Sequence, residues 1–135
     1  PQRCFIKIKH GLTTQSMPAY YNHLKENRIN LLFVCTENRL RSPTAEAVFT
    51  EYAGIHAISA GTNADAETPI SGDLIEWADI IFVMEKMHKT KISKKFPSLL
   101  KDKRLICLAI ADHYAYMQPE LVQLLKLKVA QHIDL

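Results

Sequence analysis

The chain has 135 residues, 47% of them hydrophobic and 23% charged, with a formal net charge of +3, enough for one globular domain with a substantial core. So mild a charge does not by itself point to nucleic acid, although a positive field suits phosphorylated substrates; no apolar run reaches the length of a membrane span, and none reads as a signal peptide. The three cysteines, Cys4, Cys35 and Cys107, are odd in number and lack metal-ligand spacing, which suits a reducing cytoplasm better than a disulfide framework and implies neither metal nor other cofactor.

Residues 1–28 read as an N-terminal extension to a domain spanning 29–135. Cys4 to Lys9 alternates weakly like an edge strand, Gly11 to Ser16 is turn-like, and Pro18 to Lys25 has room for one or two helical turns. Such a lead-in reads first as a poorly ordered extension, with a docking segment or a dimer arm as the alternatives, and Met17 is an alternative start of translation.

Leu31 to Val34 is wholly apolar and short, the pattern of a fully buried strand, and it ends on Cys35. Ser42-Pro43 then reads as an N-cap followed by proline at N1, with Glu46 in the first turn. Ala45, Val48, Phe49 and Tyr52 share one face of this helix, and Gly54 closes it. His56 to Gly61 is a second strand, with His56 in a local hydrogen bond rather than in chemistry. Thr62 to Ser71 is a polar loop, and Ser71 to Ala78 a short helix with Trp77 packed in the core.

Ile80 to Met84 is an unbroken apolar run, as a central parallel strand requires. The helix over Glu85 to Phe96 turns Met87, Ile92 and Phe96 inward and presents its lysines as a solvated face. Arg104 to Ala109 is a fourth strand with Cys107 in apolar surroundings, and Ile110 to Met117 is the loop after it. Pro119 opens a last helix, to about Gln131, with Leu121, Leu124, Leu125, Lys128 and Val129 along one stripe. Strands alternating with helices imply an α/β domain of three layers, α/β/α, around four parallel strands with right-handed crossovers.

Cys35 and Arg41 form a Cys-x5-Arg segment on a strand-loop-helix junction, where the free N–H groups and the positive end of the helix dipole favour an anion. That end, Arg41 and the Ser42 hydroxyl all favour a thiolate at Cys35. Arg41 can grip two phosphate oxygens, and Thr36, Glu37, Asn38, Arg39, Leu40 and Ser42 complete the loop whose N–H groups form a nest for the rest. Ligand groups of parallel sheets lie outside the carboxyl ends of the strands. Cys35 follows the first strand and Asp112 the fourth, so both reach one rim.

The run Val34-Cys35-x-x-Asn38-x-x-Arg41-Ser42-Pro43-x-Ala45-Glu46 resembles the signature of the low-molecular-weight protein tyrosine phosphatases. Ser59-Ala60-Gly61-Thr62, Ala78-Asp79-Ile80-Ile81-Phe82-Val83-Met84 and Asp112-x-Tyr114 extend the likeness, in order, over about residues 29 to 131. The shortened spacing and the ending Tyr114-x-Tyr116-Met117-x-Pro119-Glu120-Leu121 are similar to a compact bacterial branch of predicted protein tyrosine phosphatases. This resemblance implies a phosphotyrosine protein phosphatase I-like fold with strand order 2-1-3-4. It also implies Cys35 as nucleophile, Arg41 as phosphate ligand, Ser42 as thiolate partner, Asn38 as the residue holding the loop's shape and Asp112 as general acid. The reaction implied is metal-free hydrolysis of a phosphotyrosine protein or a small phosphate monoester, with inorganic phosphate as product and no membrane or nucleic-acid partner.

The chain departs from that pattern in its loops. The family usually has glycine in place of Glu37, which is therefore expected to face solvent, and often a second cysteine in place of Leu40. Without that cysteine Cys35 is less protected from overoxidation. The 62–71 loop is short and carries no aromatic, leaving Tyr114 and Tyr116 as candidates for a wall against the substrate ring. Asp112-His113 replaces the usual Asp-Pro. Three rival readings stand beside the phosphatase: a thiol-dependent arsenate reductase, which needs a relay cysteine near Cys35; a phosphoarginine hydrolase, which Arg39 would oppose; and a non-catalytic phosphate- or phosphopeptide-binding module.

Overall fold

The structure is a computed structural model that describes residues 28–135; the expectations for the segment from Cys4 to Lys25 and for Met17 lie outside the described residues. Four strands, β1 (Ile29–Cys35), β2 (Ile55–Gly61), β3 (Ile80–Val83) and β4 (Arg104–Cys107), alternate with four helices, α1 (Arg41–Phe49), α2 (Gly72–Trp77), α3 (Lys86–Lys95) and α4 (Pro119–Val129). The strands pair in parallel in the order β2-β1-β3-β4, the order that the family resemblance implies.

Both faces of the sheet are covered, which is why β1 reads as a continuous apolar run. Its period-2 alternation sends Leu31, Phe33 and Cys35 into the core shared with α1 and α4, and Leu32 and Val34 into the one shared with α2 and α3. Phe33 stacks on Phe49 at 5.3 Å and on Phe82 at 5.4 Å between ring centroids, each pair contributing about 1 kcal/mol beyond its buried area. This packing fixes the direction of β1, and hence the face on which Cys35 emerges.

Four local expectations are corrected. Helix α1 begins at Arg41 with Leu40 as its N-cap and no side-chain cap, so Ser42 lies inside the first turn and its hydroxyl is taken by the loop instead. Glu46 falls beyond that turn and accepts the Ser59 hydroxyl at 2.6 Å. Gly54, at φ 82°, does not cap α1, which has ended at Phe49; it makes the left-handed turn into β2, where its carbonyl accepts the Ile29 N–H at 2.9 Å. In α3, Met87 is 53% exposed and His88 takes the inward place beside Ile92.

Candidate active site

Cys35 ends β1, opposite Gly61 at the end of β2, and the chain between it and α1 wraps a cleft. Its sulfur is 2.9 Å from Ser42 Oγ and accepts the Asn38 N–H at 3.3 Å. Asn38 can aim its amide inward because it adopts φ 58°, a left-handed conformation that asparagine tolerates better than most residues. The Ser42 hydroxyl has three acceptors within reach: the sulfur, Asn38 Oδ1 at 2.9 Å and the Ala60 carbonyl at 3.3 Å. It has one proton to give. A thiol can donate to Ser42 Oγ, whereas a thiolate must take the Ser42 proton for itself.

The loop's carbonyls point away from the cleft. Those of Cys35, Thr36 and Glu37 accept the N–H groups of Thr62, Asn63 and Glu67 at 2.9, 3.0 and 3.1 Å. With the carbonyls engaged behind, successive N–H groups are left for an anion in front, the arrangement of a nest. Gly61 makes this backing possible: a Cβ there would lie 2.6 Å from the Thr36 carbonyl oxygen and 3.0 Å from the Asn38 nitrogen. The sequence quotes Gly61 only as part of a motif; its contact with the loop is visible only in three dimensions.

Arg41 is 2% exposed and held from two sides. Its Nη1 donates to Glu85 Oε1 at 2.6 Å and to the Ile110 carbonyl at 2.8 Å, while Nε lies 3.6 Å from Asp112 Oδ1. The edge formed by Nε and Nη2 is therefore the one that can fork onto phosphate oxygens. Glu85 follows β3 and Asp112 follows β4, so three parallel strands deliver Cys35, Glu85 and Asp112 to one end of the sheet. The cleft has a volume of about 370 Å³ and is lined by Cys35, Thr36, Glu37, Arg39, Leu40, Arg41 and Asp112.

Glu37 is half exposed and pairs with Arg39 at 3.3 Å, at the rim rather than on the floor. Tyr114 does not line the cleft: it packs against the α1/α4 core with its ring tilted over His113 at 4.3 Å. Tyr116 is exposed. The loop carrying Asp112 lacks the Asp-Pro pair but is tied down at both ends, by the bonds of Ile110 to Met84 and Arg41 and by Met117 N–H to Thr44 Oγ1 at 2.9 Å. Cys107 packs on the α2/α3 side of the sheet, opposite the core that holds Cys35, and so does not serve as a relay for it.

Glu85 and His88 are missing from the site as read in the sequence. His88 Nε2 is 2.8 Å from Thr36 Oγ1, and Nδ1 accepts the Glu85 N–H at 3.0 Å. The signal for His88 was present in the i, i+4, i+8 series His88, Ile92, Phe96, which competes with the series through Met87. Burial, and after it the positive charge of Arg41, lower the His88 pKa to about 4. Among the described residues no group of three or more His, Cys, Asp or Glu side chains is placed to hold a metal ion.

Fold and loop together give a parallel sheet whose first strand delivers a cysteine into a backbone loop at a helix start, an architecture similar to that of the low-molecular-weight phosphatases. Residues 30–76 match the family model described as low molecular weight phosphotyrosine protein phosphatase. A curated protein-arginine-phosphatase of Bacillus subtilis strain 168 is 28% identical; the match takes in half of this chain and 63% of that protein, so the chain spans under two thirds of its relative's length. The arginine phosphatase YwlE of Geobacillus stearothermophilus superposes with a TM-score of 0.61 at 25% identity, over 76% of this chain and 91% of that one. The tyrosine phosphatase Wzb of Escherichia coli K30, solved with phosphate, shares the fold with a TM-score of 0.53 at 23% identity, over 77% and 95% of the two chains.

Proposed function

We propose that the protein hydrolyses phosphate monoesters through a cysteinyl-phosphate intermediate. The observation that carries this reading is the cleft itself: Cys35 Sγ within 2.9 Å of Ser42 Oγ, beside a buried Arg41 whose Nε lies 3.6 Å from Asp112 Oδ1. The Cys35 thiolate attacks phosphorus, the bond to the leaving oxygen breaks, and that oxygen takes a proton from Asp112. Asp112, now a carboxylate, takes a proton from water as the water attacks phosphorus. The S–P bond breaks, inorganic phosphate leaves, and the thiolate returns with its Ser42 hydrogen bond. Arg41 and the loop N–H groups hold the equatorial oxygens in both steps, and this is the main electrostatic stabilisation.

The substrate in this reading is a phosphotyrosine protein or a small phosphate monoester, met in a reducing cytoplasm that keeps Cys35 as a thiol. A specific observation favours phosphoarginine as a second substrate. Among the described residues the cleft is lined by two carboxylates, Glu37 and Asp112, and by no aromatic ring. Arg39, which as a lone cation would repel a guanidinium, is paired with Glu37. Similarity to arginine phosphatases points the same way.

The test is hydrolysis of p-nitrophenyl phosphate between pH 5 and 8 under reducing conditions, by the protein and by Cys35→Ser and Asp112→Asn, followed by phosphotyrosine and phosphoarginine peptides in competition. Cys35→Ser is expected to abolish turnover and Asp112→Asn to slow it, roughly 10²-fold or more. Unchanged turnover in Cys35→Ser would overturn the mechanism. Phosphate binding without any turnover in the intact protein would leave a binding module.

A further inference from the structure

His88 is fully buried, yet the two-step mechanism above gives it no part. Its hydrogen bonds determine its tautomer. A backbone N–H can only donate, so the Glu85 N–H at 3.0 Å requires a bare Nδ1, and the neutral ring then carries its proton on Nε2. Nε2 is 2.8 Å from Thr36 Oγ1, so the ring donates and the Thr36 oxygen accepts. With its oxygen occupied in this way, the Thr36 hydroxyl presents its own proton for donation. Thr36 lines the cleft next to the nucleophile.

We propose that His88 is a positioning residue that sets the Thr36 hydroxyl as a hydrogen-bond donor to a phosphoryl oxygen held in the cleft. The inference rests on reading the cleft as a phosphate site. It joins two sides of that site through one helix start: the Glu85 carboxylate holds Arg41, the Glu85 N–H holds His88, and His88 holds Thr36. The charged groups acting on the ring are Arg41, Glu85, Lys91 and Asp112; burial, with the cations Arg41 and Lys91, outweighs the Glu85 and Asp112 carboxylates and lowers its pKa to about 4. A protonated ring would place an Nδ1–H against the Glu85 N–H and break the chain of donors.

Two substitutions separate this role from simple capping of α3. In His88→Asn the amide oxygen takes the place of Nδ1 and keeps the Glu85 N–H but loses the donor to Thr36. In His88→Gln the amide nitrogen takes the place of Nε2 and keeps that donor. Thr36→Val removes the hydroxyl, and Thr36→Ser restores it. The readouts are binding of inorganic phosphate by calorimetry, kcat and KM for p-nitrophenyl phosphate, and Tm.

Phosphate affinity is expected to fall about tenfold in His88→Asn and in Thr36→Val, as for a lost bond to a charged acceptor. It should stay near wild type in His88→Gln and Thr36→Ser, and the double variant His88→Asn/Thr36→Val should be no weaker than Thr36→Val alone. Additive losses in the double variant, or His88→Asn binding phosphate as wild type does, would overturn the proposal. If the His88 variants do not fold, the Thr36 pair decides: equal affinity in Thr36→Val and Thr36→Ser overturns it. Phosphate binding without turnover in the intact protein would sink the catalytic reading while these affinities still report on His88; failure to bind phosphate at all would overturn both.

Discussion

Arg41 donates from Nη1 to Glu85 Oε1 at 2.6 Å, across 44 residues of sequence, with the Ile110 carbonyl as a second acceptor at 2.8 Å. The guanidinium is thus oriented before any ligand arrives, and binding energy need not be spent on ordering a long side chain. Removing Glu85 has two opposed effects. It deletes a negative charge near the phosphate, which favours binding, and it releases Arg41, which opposes binding. Glu85→Gln keeps an acceptor for Nη1 and removes only the charge, so phosphate should inhibit it at least as well as wild type. Glu85→Ala releases the guanidinium and should raise the inhibition constant roughly tenfold or more, the worth of a hydrogen bond between charged groups. Inhibition constants for phosphate on both variants check this; equal constants in Glu85→Ala and wild type would mean that Arg41 holds itself.

Ser42 is the hinge of the thiolate's environment. Its single proton is shared among Cys35 Sγ, Asn38 Oδ1 and the Ala60 carbonyl, and only in the thiolate state must it serve the sulfur. Ser42→Ala should therefore affect the steps in which the sulfur is charged, its attack and its release as leaving group, by about 10- to 100-fold in kcat. Phosphate binding through Arg41 and the loop N–H groups should change little. Burst kinetics with p-nitrophenyl phosphate would show which step limits. A loss confined to KM would contradict this account.

The fold was legible because β1 to β4 are apolar runs separated by amphipathic helices, and the candidate site because Cys35 and Arg41 bracket a strand-helix junction. What sequence reading missed follows from tertiary overrides of local rules. Ser42-Pro43 has the chemistry of a cap, but the loop needs the Ser42 hydroxyl beneath the sulfur, and α1 starts two residues earlier, at Arg41 with Leu40 as N-cap. Met87 is the more hydrophobic neighbour of His88, yet the imidazole is the one with partners inside, at Glu85 and Thr36. The role of Glu85 could not be read from spacing, because its partner Arg41 comes from a different strand-helix unit.

Gly61 offers a test of the loop's backing. A Cβ there would lie 2.6 Å from both Ala66 Cβ and the Thr36 carbonyl oxygen, closer than side chain or backbone can tolerate without shifting. Gly61→Ala should push Thr36 and Asn38 out of register, costing roughly 1–3 kcal/mol in stability as overpacking does and a larger share of activity, because the proposed phosphate site is built from that loop's N–H groups. Urea unfolding beside a phosphate titration measures both. A variant with wild-type phosphate affinity would show that the loop holds its shape without that close approach.

His88 also makes stability depend on pH in a defined direction. The unfolded histidine has the ordinary value near 6.5, and burial with Arg41 lowers the folded value to about 4. Between those values the unfolded chain binds a proton that the native one does not, so this group's contribution makes stability fall as pH drops from 6.5 toward 4 and level off below. The full span is worth roughly 3 kcal/mol. His88→Asn cannot take up the proton, so its unfolding free energy should be less sensitive to pH over that window, even if the variant is less stable at pH 7.5. Urea unfolding of both proteins at pH 7.5, 5.5 and 4.5 isolates the difference, since carboxylates common to both cancel. Parallel pH profiles would mean that the imidazole is protonated in the folded protein, and the donor chain from Glu85 through His88 to Thr36 would then have to be abandoned.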